Sequence, residues 1–295
     1  MMKLLVVGDF QGIFPEKMKK EIKKEEFDVV VAVGDYAGLS DFRKYVIYRF
    51  NQMKKKLPVK SAEDFFGKNN LKRLIKKDDD SAKNVLKELD KLGKPVFLVF
   101  GNGDDRWYKY PFDGNTKMSL PKTHTHFLKG LKNTEIITYN KKRFRDFTFV
   151  GAGGYMDIDA YFNKNHFSCR EENIEMMKKR VKRRERTRKR LFDILRKTSG
   201  KRILVLHYSP RGVFDIIRDK KDNPMNGQSA GIGFFSEAIK KYKPLAVFCG
   251  HMHEYRGMKK LFGVPVINSG DAEEGKYAVV EIDDQTKRVN ARFSR

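Results

Sequence analysis

Five short, continuous apolar runs recur along the chain and predict buried β-strands. Each run has four or five residues and is rich in β-branched or aromatic side chains, as is typical of strands covered on both faces. The runs are Leu4–Val7, Val29–Val33, Val96–Phe100, Ile203–Leu206 and Ala246–Cys249. Strands of this kind indicate an α/β fold.

Other segments show the spacing of helices or of a hairpin. Phe42–Phe50 combines aromatic residues with Lys and Arg, and the helical spacing of its rings favours packing over the alternative of base stacking. Asp78–Ser81 is interpreted as a turn and N-cap before a helix over Lys83–Leu92. Tyr277–Ile282 and Val289–Phe293 predict a hairpin that closes the fold.

Short polar blocks follow the five predicted strands. In chain order they are Asp9-Phe10-Gln11, Gly34-Asp35, Gly101-Asn102-Gly103-Asp104, His207 and Gly250-His251-Met252-His253. Open α/β sheets build their sites at the carboxyl ends of strands. Carboxylates, amide oxygens and imidazoles suit manganese, iron, zinc or a similar divalent ion. The blocks therefore predict a two-metal hydrolase site, in which the ions activate water and bind phosphate.

Each block taken alone has a simpler explanation. Gly34-Asp35 is typical of an ordinary turn, since Gly supplies a positive φ and Asp bonds to nearby backbone. A lone histidine such as His207 is more often a core or surface residue, and the pair His251 and His253 fits either interpretation. Five such blocks at separate strand ends favour a common site, because unrelated turns have no reason to occur in this order.

The series of blocks resembles the calcineurin-like metallophosphoesterase superfamily, whose signature is D-x-H, G-D, G-N-H-[DE], a lone His and G-H-x-H. The resemblance extends from Asp9 to His253, and Phe149–Gly154 and Val266–Asp271 resemble recurrent strand-plus-glycine segments of that fold. It implies an α/β fold of four layers, with two mixed β-sheets flanked by helices. We expect a single domain over residues 1–295, with helical insertions at about 36–94 and 155–200.

The resemblance also implies the ligands of two metal ions. The first ion would be held by Asp9, Gln11, Asp35 and His253, and the second by Asp35, Asn102, His207 and His251. Asp35 would bridge the ions, because two close dications repel unless an anionic oxygen lies between them. We expect Asp35, Asn102 and His207 to act in catalysis. Manganese is the expected metal, with iron, zinc or nickel as alternatives.

Two positions depart from the signature. Gln11 stands where most members have histidine, and its amide is a poorer partner for zinc or iron than imidazole is. A Gln here is similar to the branch that hydrolyses ADP-ribose and CDP-alcohols. Gly103 replaces a histidine that protonates the leaving group, and such acid catalysis contributes about 10²–10⁴-fold. Good leaving groups, as in aryl phosphodiesters or pyrophosphates, are therefore favoured. Candidates to replace the acid, each more simply a surface residue, are His124, His126 and His166.

Length, charge and cysteine content further limit the kind of protein that this sequence encodes. The 295 residues include 63 Lys and Arg against 38 Asp and Glu, a net charge of +25, and 40% are hydrophobic. This length suits one large α/β domain. Cys169 and Cys249 predict neither a disulfide framework nor a thiolate metal site. The first strand leads directly to Asp9 and no apolar stretch approaches about 18 residues, so we expect a cytoplasmic protein with no membrane span.

One basic segment concentrates the positive charge. Ten of the thirteen residues from Lys178 to Arg190 are Lys or Arg. A solvated helix face or thermal adaptation explains such charge, and binding of nucleic acid or another polyphosphate is the functional alternative. A membrane-surface role is disfavoured because the apolar side lacks Trp and Phe. Apolar residues that predict a long helix here are Ile174, Met177, Val181, Leu191 and Leu195.

Three functions remain compatible with these features. The leading one is a dinuclear metal phosphoesterase that hydrolyses a phosphodiester or pyrophosphate, with a nucleotide derivative among the candidate substrates. The second is a nuclease or end-processing enzyme, which the basic segment favours and which Gln11 and Gly103 oppose. The third is a binding protein without turnover, as in the retromer member of the superfamily. With Asp35 counted once for each ion, seven of the eight ligand positions keep the expected residue type, which favours an active enzyme.

Overall fold

The computed structural model describes residues 1–38, 40–104, 128–162, 174–218, 223–283 and 285–294. His124, His126, His166 and Cys169 lie outside these ranges. Helices in the described ranges are α1 (Glu16–Ile22), α2 (Ser40–Lys55), α3 (Ala62–Phe66), α4 (Lys68–Asp90), α5 (Ile174–Arg196) and α6 (Gly233–Tyr242). Strands there are β1 (Met2–Val7), β2 (Val29–Ala32), β3 (Val96–Leu98), β4 (Thr134–Ile136), β5 (Lys141–Phe144), β6 (Phe147–Ala152), β7 (Lys201–Leu206), β8 (Ala246–Cys249), β9 (Gly257–Leu261), β10 (Val264–Asn268), β11 (Ala278–Ile282) and β12 (Val289–Phe293).

Two six-stranded mixed sheets form the centre of the molecule. The first has the order β12-β11-β1-β2-β3-β4 and the second the order β5-β6-β7-β8-β10-β9. Strands β1 to β4 run parallel, as do β6, β7, β8 and β10. Antiparallel pairing brings in β11, β12, β5 and β9. All five predicted strands are present, although β2 and β3 end slightly early, and the predicted hairpin is β11 and β12.

The central strands are buried on both faces, which explains their continuous apolar runs. In β1, Leu4 and Val6 pack between the two sheets, whereas Leu5 and Val7 pack toward α1 and α4. Helices α5 and α6 cover the outer face of the second sheet. The predicted α/β fold of four layers, with two mixed sheets flanked by helices, is confirmed. Within the described residues, no helix is both long and apolar enough to cross a membrane.

Helices α2, α3 and the first half of α4 pack together around a small core of their own. Phe42 and Tyr45 of α2 join Leu71 and Leu74 of α4 in this cluster. Rings of the segment stack or tilt against one another with centroids 4.8–6.2 Å apart. They belong to Tyr45, Tyr48, Phe65 and Phe66. Tyr45 and Tyr48 of α2 therefore pack against the neighbouring helix α3, as the helical spacing of Phe42–Phe50 predicts, whereas Phe65 stays exposed.

The turn and N-cap predicted at Asp78–Ser81 are wrong. Helix α4 continues through this segment, because its buried stripe runs on from Ile75 to Ala82 at helical spacing. Asp78 lies on that stripe and accepts a hydrogen bond from the Gly38 N–H at 2.8 Å. Asp80 pairs with Lys76, one turn earlier, at 2.7 Å. These acidic residues suggest a cap when only their sequence neighbours are considered. In the structure, Asp78 instead bonds to a distant residue and Asp80 to a residue one helical turn away.

Helix α5 is the predicted basic helix, and three of its arginines face the body of the protein. Arg180 and Arg183 both bind the buried carboxylate of Asp157. Arg184 pairs with Asp159 at 2.6 Å. A buried carboxylate is costly unless it is paired, so these contacts fix α5 beside residues 157–159. Part of the positive charge is therefore used to anchor the helix.

Candidate metal centre

The polar blocks that follow the five strands converge on one place. Strands β1, β2 and β3 of the first sheet end there, as do β7 and β8 of the second sheet. Donor atoms of Asp35, His207 and His251 lie within 4.8 Å of one another, and so do those of Asp9, Asp35 and His253. Asp35 belongs to both groups. Since each sheet supplies part of both groups, the arrangement depends on the packing of the sheets against each other.

His207 presents one ring nitrogen to the centre of the group formed with Asp35 and His251. Its Nδ1 lies 2.8 Å from the Val33 carbonyl oxygen, which can only accept a hydrogen bond, so Nδ1 carries the proton. Burial lowers the pKa of His207 and keeps the ring neutral. The lone pair on Nε2 then faces Asn102 Oδ1 at 2.9 Å and Asp35 Oδ1 at 3.6 Å. Electron-rich atoms that converge without a proton between them suit a cation.

The other group carries an excess of negative charge. His253 Nδ1 lies 3.3 Å from Asp271 Oδ2, and its Nε2 lies 3.7 Å from Asp9 Oδ1. Burial lowers the pKa of His253, but the hydrogen bond to Asp271 and the charges of Asp9, Asp271 and Asp35 outweigh it and raise the pKa to about 9. Burial, with Asp35 and Asp271, raises the pKa of Asp9 well above its usual range. A metal ion bound by these carboxylates would supply positive charge beside that of His253.

Several of these residues have an unusual backbone conformation. Their φ angles are 58° at Asp9, 48° at Gln11, 55° at Asp35 and 66° at His251. Left-handed conformations of this kind cost non-glycine residues on the order of 1–3 kcal/mol each, and they concentrate at functional sites. The surrounding hydrogen bonds compensate: the His251 N–H donates to both carboxylate oxygens of Asp9, at 3.0 and 2.9 Å. The backbone is therefore held in a shape that the local sequence does not favour.

Glycines in the blocks allow the chain to approach the acidic side chains closely. A Cβ atom at Gly101 would lie 2.1 Å from Asp35 Oδ1. One at Gly250 would lie 2.5 Å from Asp9 Oδ2. Both distances are too short for any side chain, so these two positions require glycine while the carboxylates keep their places.

Asp104 is a site residue to which sequence reasoning assigns no role. Its buried carboxylate accepts hydrogen bonds from the backbone N–H groups of Asp35 at 2.8 Å, Ala37 at 2.9 Å and Gly101 at 2.7 Å. It thereby joins the loop after β2 to the loop after β3. Its presence in the third polar block is the only sequence signal. Asp271, which orients His253, is likewise visible only as the end of a strand-plus-glycine segment.

Gln11 lies beside the candidate ligands in an orientation that the sequence does not predict. Its Nε2 donates a hydrogen bond to Asp35 Oδ2 at 3.3 Å. Its carbonyl oxygen faces Gly38, where a Cβ atom would lie only 2.5 Å away. In this orientation Gln11 steadies Asp35 through its amide hydrogens, and coordination of a metal through its oxygen requires rotation of the amide.

Gly103 leaves little space for the imidazole that its position holds in the signature. Its N–H donates to Asp35 Oδ1 at 2.6 Å. A Cβ atom at this position would lie 2.9 Å from the Ala37 carbonyl oxygen. The backbone must therefore shift before any larger residue fits, and Gly103 acts as a backbone donor to Asp35.

A cavity of about 270 Å³ opens above the candidate ligands. Gln11, Asp35, Asn102, His251 and His253 form its polar floor. The walls come from α2, from the segment between β6 and α5, and from the loop between β7 and α6. Side chains in these walls include Phe42, Val46, Ile47, Phe50, Tyr155, Tyr161, Ile217 and Met225. Helix α2 thus borders the space directly above the ligand groups.

The family can now be identified from a comparison with known families. The family model for metallophosphoesterases of the calcineurin superfamily matches residues 1–291. The chain belongs to this family. The superfamily binds a dinuclear metal centre, and the two ligand groups that share Asp35 fit such a centre. Membership and these groups together support a metal-dependent phosphoesterase that acts on a phosphoester substrate.

Solved structures show the same fold at low sequence identity. One crystal structure aligns with a TM-score of 0.63 and 16% identity over 99% of this metallophosphoesterase and 98% of the other chain. The crystal structure of TT1561 of Thermus thermophilus aligns with a TM-score of 0.54 and 13% identity over 100% of both chains. Among curated proteins, no sequence matches significantly. At such identities, these structures support the fold alone.

Proposed function

We propose that this metallophosphoesterase hydrolyses a phosphodiester or pyrophosphate bond with two divalent ions, of which manganese is the expected metal. Asp9, Gln11, Asp35 and His253 would hold one ion, and Asp35, Asn102, His207 and His251 the other. The observation that carries the proposal is the position of Asp35, whose carboxylate belongs to both groups of close donor atoms. An acidic bridge between two ligand groups is the arrangement that a two-ion hydrolase needs.

The protein's own residues determine how a substrate would be treated. The bound ions would supply an activated water and neutralise charge on the phosphoryl oxygens. His207 keeps Nε2 free for a metal because Nδ1 donates to Val33. Asp104 and the Gly103 N–H hold Asp35 in place from behind. Since Gly103 provides no acid for the leaving oxygen, esters with good leaving groups are the preferred substrates.

The proposal is tested with a panel of substrates and metals. The panel contains bis(p-nitrophenyl) phosphate, p-nitrophenyl phosphate, ADP-ribose and single-stranded DNA, each with manganese, iron, zinc, nickel or a chelator. We expect metal-dependent turnover of the diester or of ADP-ribose, and slower turnover of the monoester. A protein that binds two ions and turns over none of these substrates would contradict the proposal and favour a binding function.

Gln11→His is expected to raise affinity for zinc or iron relative to manganese by about 10-fold. Imidazole is the better ligand for these metals. Replacing Gln11 also removes the amide hydrogen bond to Asp35 Oδ2. Metal content after dialysis against mixed ions measures the preference. Gln52→His on α2 introduces the same side chain away from the ligands and is the matched control. Equal preferences in both variants and in the unmodified protein would show that position 11 does not coordinate.

A second candidate is hydrolysis of nucleic acid with help from α5. The observation in its favour is the exposed face of this helix, which presents Lys178, Lys182 and Arg186. Arg180, Arg183 and Arg184 are engaged with Asp157 and Asp159 and contribute little to such a face. The remaining exposed cations could bind phosphates without sequence preference and with strong salt dependence.

Replacing Lys178, Lys182 and Arg186 by glutamine tests this candidate. If they contact phosphates, the slope of log affinity for single-stranded DNA against log salt should decrease by roughly 2, since each contact contributes about 0.7. The control is a triple variant that removes the same charge near α1 by changing Lys20, Lys23 and Lys24 to glutamine. The candidate is rejected if both triple variants give equal slopes.

A further inference from the structure

The cavity above the ligand groups has walls of a different chemistry from its floor. The floor carries carboxylates, amides and imidazoles, whereas the walls are mainly aromatic and aliphatic. An apolar wall is not needed to hold phosphate or metal ions, which bind to the polar floor. It excludes water and favours an apolar group on the substrate.

Helix α2 forms one wall with a side adjacent to that of its own small core, and Phe42 lies on the boundary between the two. Tyr45 and Tyr48 pack toward α3 and α4, while Val46, Ile47 and Phe50 border the cavity. The three cavity residues recur at the spacing of one helix face. Packing of the other face against α3 and α4 holds this wall beside the candidate ligands.

Tyr155 and Tyr161 form the facing wall and are held from behind by α5. The Arg183 guanidinium lies 5.6 Å from the centre of the Tyr155 ring, and that of Arg180 lies 5.2 Å from Tyr161. The Tyr155 hydroxyl donates to Asp157 Oδ1 at 3.4 Å. Burial raises the pKa of Tyr155 to about 12, so it stays a neutral phenol. The ion pairs that anchor the basic helix thus also position this wall.

The two walls meet on one side of the cavity, where the rings of Phe50 and Tyr161 contact each other. The ring centroids of Phe50 and Tyr161 are 6.5 Å apart. On the floor side, Tyr208 lies against His251 with centroids 4.1 Å apart, so the aromatic surface continues down to a candidate metal ligand. Flat rings pack well in narrow aromatic spaces through stacked and edge-to-face contacts.

The volume restricts what the cavity can hold. An apolar cavity of about 150 Å³ accommodates a benzene ring. At about 270 Å³, this cavity has room for a group of one or two rings. Small size, aromatic walls and continuity with the ligand groups all favour a compact aromatic group.

We propose that the cavity between α2 and residues 155–161 binds a flat aromatic ring of the phosphoester, either an aryl group or a nucleobase, directly above the metal centre. This inference rests on the proposed function, since the ligand groups would bind the phosphoryl part. Val46, Ile47 and Phe50 determine specificity for the ring, and Arg180, Arg183 and Asp157 are positioning residues. The basic helix therefore shapes the substrate site.

Calorimetric binding to the manganese-loaded protein tests the inference without turnover. Two matched pairs of ligands differ by the ring: phenylphosphonate against methylphosphonate, and adenosine monophosphate against ribose 5-phosphate. We expect the ring to increase affinity at least about 10-fold in one pair. The pair with the larger ratio shows whether the cavity prefers an aryl group or a nucleobase. Equal affinities within both pairs, or no binding of either ring compound, would overturn the inference.

Ile47→Trp fills the cavity with a larger, uncharged side chain. It should reduce the affinity ratio of the responsive pair to near one, because the ring then loses the space that it would occupy. Met53→Trp, on the same helix outside the cavity, should keep the ratio of the unmodified protein. A ratio that Ile47→Trp leaves intact would place the ring elsewhere. Binding of methylphosphonate together with no turnover of any ester would instead contradict the proposed function alone.

Discussion

Replacing Asp35 with alanine is expected to abolish metal-dependent hydrolysis and to reduce bound metal from two ions to one or none. The carboxylate is the donor common to both ligand groups, and it accepts hydrogen bonds from Gly103 and Gln11. Without it, two dications would repel each other with no anionic oxygen between them. Because turnover needs both ions, we expect a loss of at least about 10³-fold, of the size seen when a key electrostatic group is removed.

Turnover of bis(p-nitrophenyl) phosphate and metal content by elemental analysis are measured on the same Asp35→Ala sample. Asp146→Ala, in the exposed turn between β5 and β6, removes one carboxylate far from the ligands and should leave both quantities unchanged. Thermal unfolding verifies that the variants are folded. Retention of full turnover, or of two ions per chain, in Asp35→Ala would rule out the bridging role.

Asp104→Ala is expected to lower both stability and activity, although Asp104 is not a proposed ligand. The substitution leaves three buried backbone N–H groups, those of Asp35, Ala37 and Gly101, without their acceptor. An unsatisfied buried donor costs about 1–3 kcal/mol, so the free energy of unfolding should decrease by roughly 3 kcal/mol or more. Since Asp35 loses its backbone anchor, turnover should also fall at least tenfold.

Asp104→Asn distinguishes the charge from the hydrogen bonds. It keeps the shape and one carbonyl acceptor, so its stability should lie between those of Asp104→Ala and the unmodified protein. Chemical denaturation gives the free energies, and turnover with saturating manganese gives the activities. If Asp104→Ala unfolds at the same denaturant concentration as the unmodified protein, the bonds to the two loops do not contribute to stability.

Much of the candidate site can be predicted from the sequence, because its residues lie close to the predicted strands. A strand that is buried on both faces has a continuous run of apolar residues. Such runs predict five strands without any tertiary information: β1, β2, β3, β7 and β8. The polar blocks lie within one or two residues of these runs, and that is why Asp9, Asp35 and His207 could be proposed as neighbours. The left-handed φ angles of Asp9 and Asp35 are not readable, because long-range hydrogen bonds impose them against local preference.

The sequence by itself determined the family, the α/β layers and the set of candidate ligands, since these depend on local periodicity and on residue types in a fixed order. The tertiary structure alone decided the rest. The contact of Asp78 with Gly38, the bonds of Asp104 to Asp35 and Ala37, and the pairing of Arg183 with Asp157 all join residues at least 26 positions apart. The cavity above the ligands likewise forms only when α2 and Tyr161 meet across it, because its walls come from separate parts of the chain.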